Sequence, residues 1–491
     1  MYLQNRARFI ASTIFTIFVL AAIIYMTLNL IFGKSSGIST IAKSLPVMVI
    51  LVDGGDRVLR YFIDLIRQFK LQRRLQKTGE IPTGLKPYME ISHRERESDS
   101  MERLELKPYK IVASVYQIEE EWDDILENLK PFKDRLFLVD DASPDNTYDI
   151  VKKSGVEIIR NPENTNKPGA IYYGVQNLPP EIETVVVIDP DIILSEKESV
   201  EKAVYDLQQS DAGGCAVYVL PECTEHASRI VKCQAVEYEF SMYCGREVPH
   251  NYVIASGAFA IFNRNALQQA LAESSRHVIG EDYETSLMII MNGWRTYFDN
   301  RVLVRTEVPS SLRKFTRQRI GWNFGFARVI TKATWQMRKC KDPFFRYQFY
   351  IYNLGITFLF HPFRVFALAV LCISLFAFIF GPLSPVIARF YTLPISFIAL
   401  VIGFYMFMAL EGFAGSLTLK KKDFMIIFYY PLFSFYQNFV PITIGYLNFI
   451  TWITVGTKIV NDPYEPRRRK RHEGKNDEGN YSGRPPGSSG F

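Results

Sequence analysis

Cysteine is scarce in this chain, and its arrangement argues against two classes of protein. The 491 residues contain six cysteines, with no Cys-x-x-Cys pair and no regular framework of pairs: Cys215, Cys223, Cys233, Cys244, Cys340 and Cys372. Small secreted domains held by disulfides and domains built on cysteine-ligated zinc both need such spacings. We therefore predict reduced thiols in a cytosolic compartment.

A basic face on the soluble part of the chain is also missing. The net charge is +6, but the basic residues cluster at 420–422 and 467–471, beside apolar stretches, whereas residues 108–300 are rich in Asp and Glu. Nucleic-acid binding requires a concentrated basic surface, so no nucleic-acid partner is expected. Basic residues beside apolar runs instead mark the cytosolic side of a membrane.

The N-terminus lacks the small-residue cleavage pattern of a signal peptide, and no internal repeat occurs anywhere in the chain. Arg6 and Arg8 precede an apolar stretch from Phe9 to Phe32 that is longer than a signal-peptide core. About 20 apolar residues cross a bilayer, so this stretch predicts a membrane helix.

Further apolar segments predict about six membrane helices in total. Residues 41–66 carry charges, so they form either an irregular second crossing or an interfacial helix within an N-terminal membrane region, 1–70. Beyond residue 345 the candidates are 349–380, 385–419 and 424–459, the last expected to be two short helices broken near Pro431 and Pro441. Six crossings place both basic clusters and the soluble domain on the cytosolic side, with the plasma membrane as the expected location.

Between the membrane regions, a polar linker at 71–107 precedes an α/β pattern that we assign to a domain spanning 108–340. Residues 341–460 form the C-terminal interfacial and membrane part, and 461–491 a basic and then disordered tail. Short apolar runs predict buried parallel strands at 111–115, 136–139, 156–159 and 185–188, with helices at 119–129 and 146–154. In such sheets ligands bind beyond the carboxyl ends of the strands.

Carboxylates follow two of these predicted strands. Asp140-Asp141 comes after the second, and Asp189-Pro190-Asp191 after the fourth. Alternating carboxylates at a strand end can hold a divalent ion that neutralises a diphosphate. Taken singly, the first pair is more typical of a helix N-cap, and two acids in a loop such as the second pair are more often solvated.

Three other patterns have both a chemical and a structural interpretation. Lys167, in Asn166-Lys167-Pro168-Gly169, suits a phosphate site or an ordinary loop, and Glu281-Asp282 is either a helix cap or a source of a general base. Gln318, Arg319 and Trp322 span little more than one helical turn, so they can share a face. Trp322 is then either an interfacial anchor or a surface on which a sugar ring stacks.

The order of these motifs resembles the family 2 glycosyltransferases, specifically the membrane-embedded processive branch that includes hyaluronan, chitin and cellulose synthases. The resemblance covers roughly residues 108–460. It implies a GT-A-like cytosolic domain joined to a helical membrane domain. It also implies donor binding by Tyr116, Asp140, Asp141, Lys167, Asp189, Gln318, Arg319 and Trp322, acceptor binding by Ser256, Gly257 and Trp322, metal binding by Asp189 and Asp191, and catalysis by Asp282 as base with Glu281.

The sequence departs from the family pattern at several positions. Ser114 replaces a proline, and Gln117-Ile118 replaces Asn-Glu. Gly321 stands at the family's arginine, so the resemblance leaves Arg319 or Arg317 to contact the diphosphate. Val455-Gly456-Thr457-Lys458 is similar to the family's Trp-Gly-Thr-Arg element, with Val and Lys at its ends.

The resulting hypothesis is an inverting, processive transferase that uses Mg²⁺ or Mn²⁺. It would polymerise a β-linked polysaccharide from a UDP-sugar and secrete it through its own membrane helices. Its partners would be the UDP-sugar, the growing glycan and the lipid bilayer, and the oligomeric state is left open. One alternative is a non-processive enzyme that adds one sugar to a membrane lipid. Another is a non-catalytic membrane scaffold with a decayed transferase domain.

Overall fold

The computed structural model of the chain describes residues 105–194, 196–242, 253–275, 280–388, 405–406, 408–413, 415–416 and 423–460. The two N-terminal membrane segments, most of the linker at 71–107, most of the segment at 385–419 and the tail at 461–491 lie outside these residues. The predictions made for those regions stay predictions.

The described residues divide into two compact units. One contains the described parts of Glu105–Glu222, His250–Phe358 and Phe435–Phe491 and holds the sheet; the other contains those of Cys223–Pro249 and Leu359–Ser434. The boundary between them does not follow a single cut in the sequence, because each unit is assembled from separate segments.

The first unit is built on a seven-stranded mixed sheet of order β3-β2-β1-β4-β6-β5-β7. Strands β2 and β4 are buried along their whole length, as expected of apolar strands covered on both faces. The strands are β1 Tyr109–Val115, β2 Leu136–Asp140, β3 Glu157–Arg160, β4 Thr184–Ile188, β5 Ala212–Pro221, β6 Phe259–Asn263 and β7 Arg295–Thr306.

The four strands expected from the sequence are confirmed and pair in parallel, in the register Val112–Phe137 and Val112–Val187. The three further strands, β5 to β7, were not predicted, and they make the sheet a mixed one. Strand β6 runs antiparallel to both β4 and β5, because the chain enters it from the opposite edge of the sheet.

Helices alternate with most of the strands along the chain. Those predicted at 119–129 and 146–154 are confirmed as α1 and α2, each slightly shorter than expected. The helices up to residue 336 are α1 Trp122–Leu129, α2 Thr147–Lys153, α3 Asn166–Gln176, α4 Lys197–Gln208, α5 Arg229–Met242, α6 Arg264–Glu273, α7 Glu281–Met291 and α8 Leu312–Gln336.

Beyond α8 the chain is helical and apolar. The elements are α9 Pro343–Gln348, a π-helix Phe349–Leu359, α10 His361–Phe380, α11 Pro385–Ala388 and α12 Ile426–Val455. The two short helices expected near Pro431 and Pro441 are instead one helix of 30 residues, so that prediction is wrong. Each proline removes one backbone hydrogen bond, a loss that side-chain packing along the same helix offsets. Within the described residues, α12 is the one helix long and apolar enough to cross a membrane.

Helices α7 and α8 pack together through a buried apolar cluster that includes Leu287, Ile290, Val329 and Ile330. At the start of α7, Gly280 has a φ of +89°, and a Cβ built there would lie 3.2 Å from the backbone of Gly325 on α8. This glycine contact brings the first turn of α7 directly against the middle of α8.

Candidate active site

Three residues with left-handed backbone lie next to predicted donor-binding residues. Gln117 and Ala142 each have a φ of 56°, directly after Tyr116 and Asp141, and Asn166 has a φ of 60°, directly before Lys167. Residues other than glycine seldom adopt this conformation, and where they do the strain is concentrated at functional sites. The strand ends predicted to bind the donor are therefore the places where the backbone is most constrained.

The two aspartates after β2 differ in their surroundings. Asp140 is fully buried; its Oδ1 accepts from the Ser143 N–H at 3.0 Å, and its Oδ2 lies 3.3 Å from Arg160 Nε. Asp141 Oδ1 accepts from Asn161 Nδ2 and from the Thr165 N–H, both at 2.9 Å. Asp141 thus holds the loop that leads into α3, whereas Asp140 Oδ2 has no hydrogen bond within the described part of the chain.

Lys167, in the first turn of α3, joins three predicted site elements. Its ammonium lies 2.5 Å from Asp189 Oδ1 and donates to the Gly257 carbonyl at 2.7 Å. Burial alone would lower the pKa of Lys167, but the carboxylates of Asp189 and Glu281 outweigh it and raise the pKa. The lysine is therefore a fixed positive charge at this edge of the sheet.

The Asp189–Asp191 segment is anchored on both sides. The Asp189 N–H donates to the Ala258 carbonyl at 3.0 Å, and Ile193 exchanges two backbone hydrogen bonds of 2.9 Å with Arg305 on β7. Burial and the neighbouring Asp189 raise the pKa of Asp191. The two carboxylates therefore share a site where negative charge is costly.

These residues fit a hard divalent ion of the Mg²⁺ or Mn²⁺ type. Such ions prefer carboxylate oxygens and are commonly held by one or two carboxylates, with the remaining positions taken by substrate phosphates and water. No cluster of three or more His, Cys, Asp or Glu side chains suited to a metal occurs among the described residues. The fit therefore depends on the pair Asp189 and Asp191.

Asp282 is oriented by backbone donors. Its Oδ2 accepts from the Gly257 N–H at 3.0 Å, and its Oδ1 accepts from the Tyr283 N–H at 2.8 Å. A Cβ at position 257 would lie 3.4 Å from both Asp282 Oδ2 and Lys167 Nζ, so even the smallest side chain at this position would contact both groups. Burial, followed by repulsion from Asp282, raises the pKa of the adjacent Glu281 to about 7.

Gln318, Arg319 and Trp322 of α8 form a second candidate surface. The Arg319 guanidinium is 4.2 Å from the centre of the Trp322 ring and 5.0 Å from that of Phe315, and Trp322 is 36% exposed. Gln318 is partly buried, and its Oε1 has no hydrogen-bond partner in the described structure. Arg319 therefore supports the face of Trp322.

The predicted site residues fall into two groups. Hydrogen bonds connect Lys167, Asp189, Gly257 and Asp282 directly. Tyr116, Ser256, Gln318 and Trp322 are not joined to that network by a hydrogen bond in the described part of the chain. The Gly280–Gly325 contact places α8, which carries Gln318 and Trp322, beside the start of α7, which carries Glu281 and Asp282.

Comparison with known proteins identifies the domain. Residues 184–410 match the sequence profile of the family described as Glycosyl transferase family group 2. The chain carries a family 2 glycosyltransferase domain. This assignment covers β4, the glutamate-aspartate pair and the Gln318–Trp322 surface.

Curated relatives of this glycosyltransferase domain include poly-β-1,6-N-acetyl-D-glucosamine synthases. The protein from Staphylococcus aureus (strain COL) is 23% identical over 250 residues, which is 48% of this chain and 59% of that protein. The protein from Staphylococcus epidermidis is 23% identical over 213 residues, or 42% and 50% of the two chains. The chain thus spans just over half the length of the curated relatives it matches.

Two solved structures are similar in part. A mannosyltransferase from Pyrobaculum calidifontis in complex with GDP-Man and Mn²⁺ has a TM-score of 0.44 and 17% identity, covering 74% of this chain and 98% of that one. GalNAc-T7 with UDP, GalNAc and Mn²⁺ has a TM-score of 0.31 and 11% identity, covering 47% and 52% of the two chains.

The sequence motifs did not include several polar residues that hold the site of the glycosyltransferase domain. Ser286 donates to the Asp282 carbonyl at 2.8 Å and accepts from the Ala255 N–H at 3.0 Å, which connects α7 to the segment before Gly257. Asn161 and Thr165 position the loop before Lys167. Ser286 stands between the acidic first turn of α7 and its apolar end, and no pattern in the sequence singled it out.

The segment similar to Trp-Gly-Thr-Arg folds back against α8. The chain reverses at Gly456, which has a φ of +78°, and Asn448 Oδ1 accepts from the N–H groups of Ile459 and Val460 at 3.0 Å. Lys458 Nζ then lies 4.6 Å from the centre of the Phe324 ring. The element is therefore held against the helix that carries Trp322.

Proposed function

We propose that the protein is an inverting, metal-dependent glycosyltransferase. It transfers sugars from a UDP-sugar to a growing β-linked polysaccharide at the cytosolic face of the plasma membrane and passes the product through its own membrane segments. The observation that carries this proposal is the chain of contacts from Asp189 through Lys167 and Gly257 to Asp282. It joins a cation, a carboxylate suited to a metal and a candidate base around one space.

On the donor side, Asp189 and Asp191 would hold Mg²⁺ or Mn²⁺. When bound, the metal neutralises the diphosphate and stabilises the departing UDP. Lys167 adds a positive charge on the same side, fixed by its contacts with Asp189 and Gly257. Asp140, whose buried Oδ2 accepts no hydrogen bond in the described structure, would accept one from an N–H of the nucleoside base.

On the acceptor side, Asp282 would take the proton from the attacking hydroxyl. The hydroxyl oxygen forms a bond to the anomeric carbon as the bond from that carbon to the UDP oxygen breaks, which inverts the configuration. The two backbone N–H groups on Asp282 fix its orientation before the acceptor arrives. Trp322, supported by Arg319, offers a face for the acceptor sugar.

The first donor to test is UDP-N-acetylglucosamine. The curated relatives are named as poly-β-1,6-N-acetyl-D-glucosamine synthases. A cavity of about 40 Å³ adjoins Lys167 and Asp282 and is lined by apolar side chains that include Ile171, Phe262 and Leu271. That space suits the methyl of an acetamido group.

The test uses the purified full-length protein in lipid nanodiscs with a panel of UDP-sugars and Mg²⁺ or Mn²⁺. We expect UDP release with one donor and a polymeric product, both absent in Asp282→Asn. A product extended by one sugar on a lipid would replace the polymerase by the single-addition enzyme. Failure to bind UDP or to release it from any donor would overturn the proposal.

A further inference from the structure

A buried carboxylate lies one helical turn beyond the Glu281-Asp282 pair. Glu284 is fully buried, and its two oxygens accept from Lys332 Nζ at 2.6 Å, from Arg328 Nη2 at 3.2 Å and from Ser275 Oγ at 3.2 Å. We name Glu284, Arg328 and Lys332 the Glu284 cluster. It joins α7 to α8 through charged groups inside an apolar interface.

Stability alone does not account for this arrangement. Removing the carboxylate of Glu284 and the guanidinium of Arg328 from water carries a large cost, and a well-packed apolar replacement is often equally or more stable. The α7–α8 interface already contains such packing, with Leu287 and Ile290 against Val329 and Ile330. Hydrogen bonds, unlike apolar contacts, have a fixed direction and length, so the cluster fixes how the helices are aligned.

The elements that the cluster aligns are those of the candidate site. The first turn of α7 carries Asp282, and α8 carries Gln318 and Trp322 about two to three turns before Arg328. Lys332 also donates to the Glu273 carbonyl at 3.1 Å and to Ser275 Oγ at 3.2 Å. Lys332 therefore contacts the end of α6 through Glu273, the next residues through Ser275, and α7 through Glu284.

The charges of the cluster match this role. Burial alone would raise the pKa of Glu284, but Arg328 and Lys332 hold it below its ordinary value. Glu284 therefore stays ionised and keeps both cationic contacts. The carboxylate is within two residues of Asp282, so a shift of Glu284 moves the same helical turn.

We propose that Glu284, Arg328 and Lys332 are positioning residues that set the location of Asp282 relative to Gln318 and Trp322. The inference rests on the proposed transferase function and adds residues that touch neither donor nor acceptor. They act on the rate of transfer through the alignment of α7 and α8, because a small displacement of a base from its substrate is costly.

The decisive variant replaces the charges by apolar groups of similar size: Glu284→Leu, Arg328→Met and Lys332→Met together. We expect its thermal unfolding temperature to equal or exceed that of the wild type and its UDP affinity to be unchanged. Its kcat should fall by about tenfold or more, with KM for the UDP-sugar changed less than about threefold. A second variant, Lys332→Arg, keeps the cation and should retain most of the kcat that Lys332→Met loses.

The matched control is Asp206→Asn. Asp206 pairs with Arg301, which also pairs with Asp299, in another ion cluster of the same unit that joins α4 to β7. Its loss should leave kcat unchanged. A comparable loss of kcat in this control would mean that any broken ion cluster slows the enzyme, and would overturn the specific role.

A triple variant with full kcat would overturn the positioning role while leaving the transferase function intact. If the triple variant is less stable, the comparison of Lys332→Met with Lys332→Arg decides, with UDP affinity as the check on folding. Equal kcat in those two variants overturns the role. A wild-type protein that turns over no donor overturns the transferase function and this inference with it.

Discussion

The contact between Lys167 and Asp189 makes a specific prediction about metal binding. The lysine ammonium pairs with a carboxylate of the expected metal pair, at 2.5 Å. A free divalent ion must displace that contact, whereas an ion that arrives with a diphosphate brings a new partner for the lysine. Lys167→Met should therefore strengthen the binding of Mn²⁺ alone and weaken the binding of UDP in the presence of Mn²⁺.

The magnitude follows from the contact. A hydrogen bond between charged groups contributes about 1.5–3 kcal/mol net. The two side chains are 26% and 33% exposed, so solvent screening favours the lower end of that range. About 1.5 kcal/mol corresponds to roughly tenfold tighter Mn²⁺ binding. The loss of the lysine contact to the diphosphate should weaken UDP binding by a similar factor.

The assay is titration of the metal-free protein with Mn²⁺, followed by electron paramagnetic resonance, and then calorimetric titration with UDP at saturating Mn²⁺. Lys110→Met is the matched control, because Lys110 Nζ on β1 lies 2.6 Å from Glu157 on β3 and contacts none of the candidate site residues in the described structure. It should change neither affinity. Unchanged or weaker Mn²⁺ binding in Lys167→Met would refute the reasoning.

Three further predictions concern single side chains. Asp282→Asn should abolish sugar transfer while UDP affinity stays within about twofold, since the amide keeps the shape of the carboxylate and loses its basicity. Activity above a few per cent of the wild type would exclude Asp282 as the base. Arg319→Ala should lower kcat/KM by about tenfold with little change in UDP affinity, because the guanidinium stacks on Trp322; a large loss of UDP affinity would instead indicate a diphosphate contact. Glu281→Gln should raise the unfolding temperature near pH 8, with the difference vanishing near pH 4. Folding raises the pKa of Glu281 to about 7, so the wild-type protein becomes less stable as the pH rises through that value. The glutamine variant does not ionise and loses no stability, so equal pH profiles of the unfolding temperature in the two proteins would contradict this prediction.

Residue patterns were sufficient to predict the strands that carry the site but not the rest of the sheet. Strands β1 to β4 are apolar runs, two of them followed by carboxylates, and the structure places all four as expected. Strand β7, Arg295–Thr306, contains three arginines that pair with acidic side chains outside the strand, so its apolar residues fall in short separate groups. The direction of β6 depends on the connection between strands, which no local pattern contains.

The candidate site shows the same division. The residue types and their order indicated Asp189, Glu281 and Asp282, but the contacts that join them span long separations in sequence. The Lys167 bond to Gly257 spans 90 residues, and the Gly257 bond to Asp282 spans 25. The stacking of Arg319 on Trp322 likewise depends on a side-chain orientation that spacing along a helix does not determine.

The Gly280–Gly325 contact has a consequence for the width of the space between α7 and α8. Where two main chains touch without intervening side chains, no rotamer change can bring them closer or let them relax apart. A Cβ at position 280 would lie only 3.2 Å from Gly325, so a side chain there would push the first turn of α7 away from α8. The close approach of Asp282 to the helix that carries Trp322 therefore requires glycine at position 280.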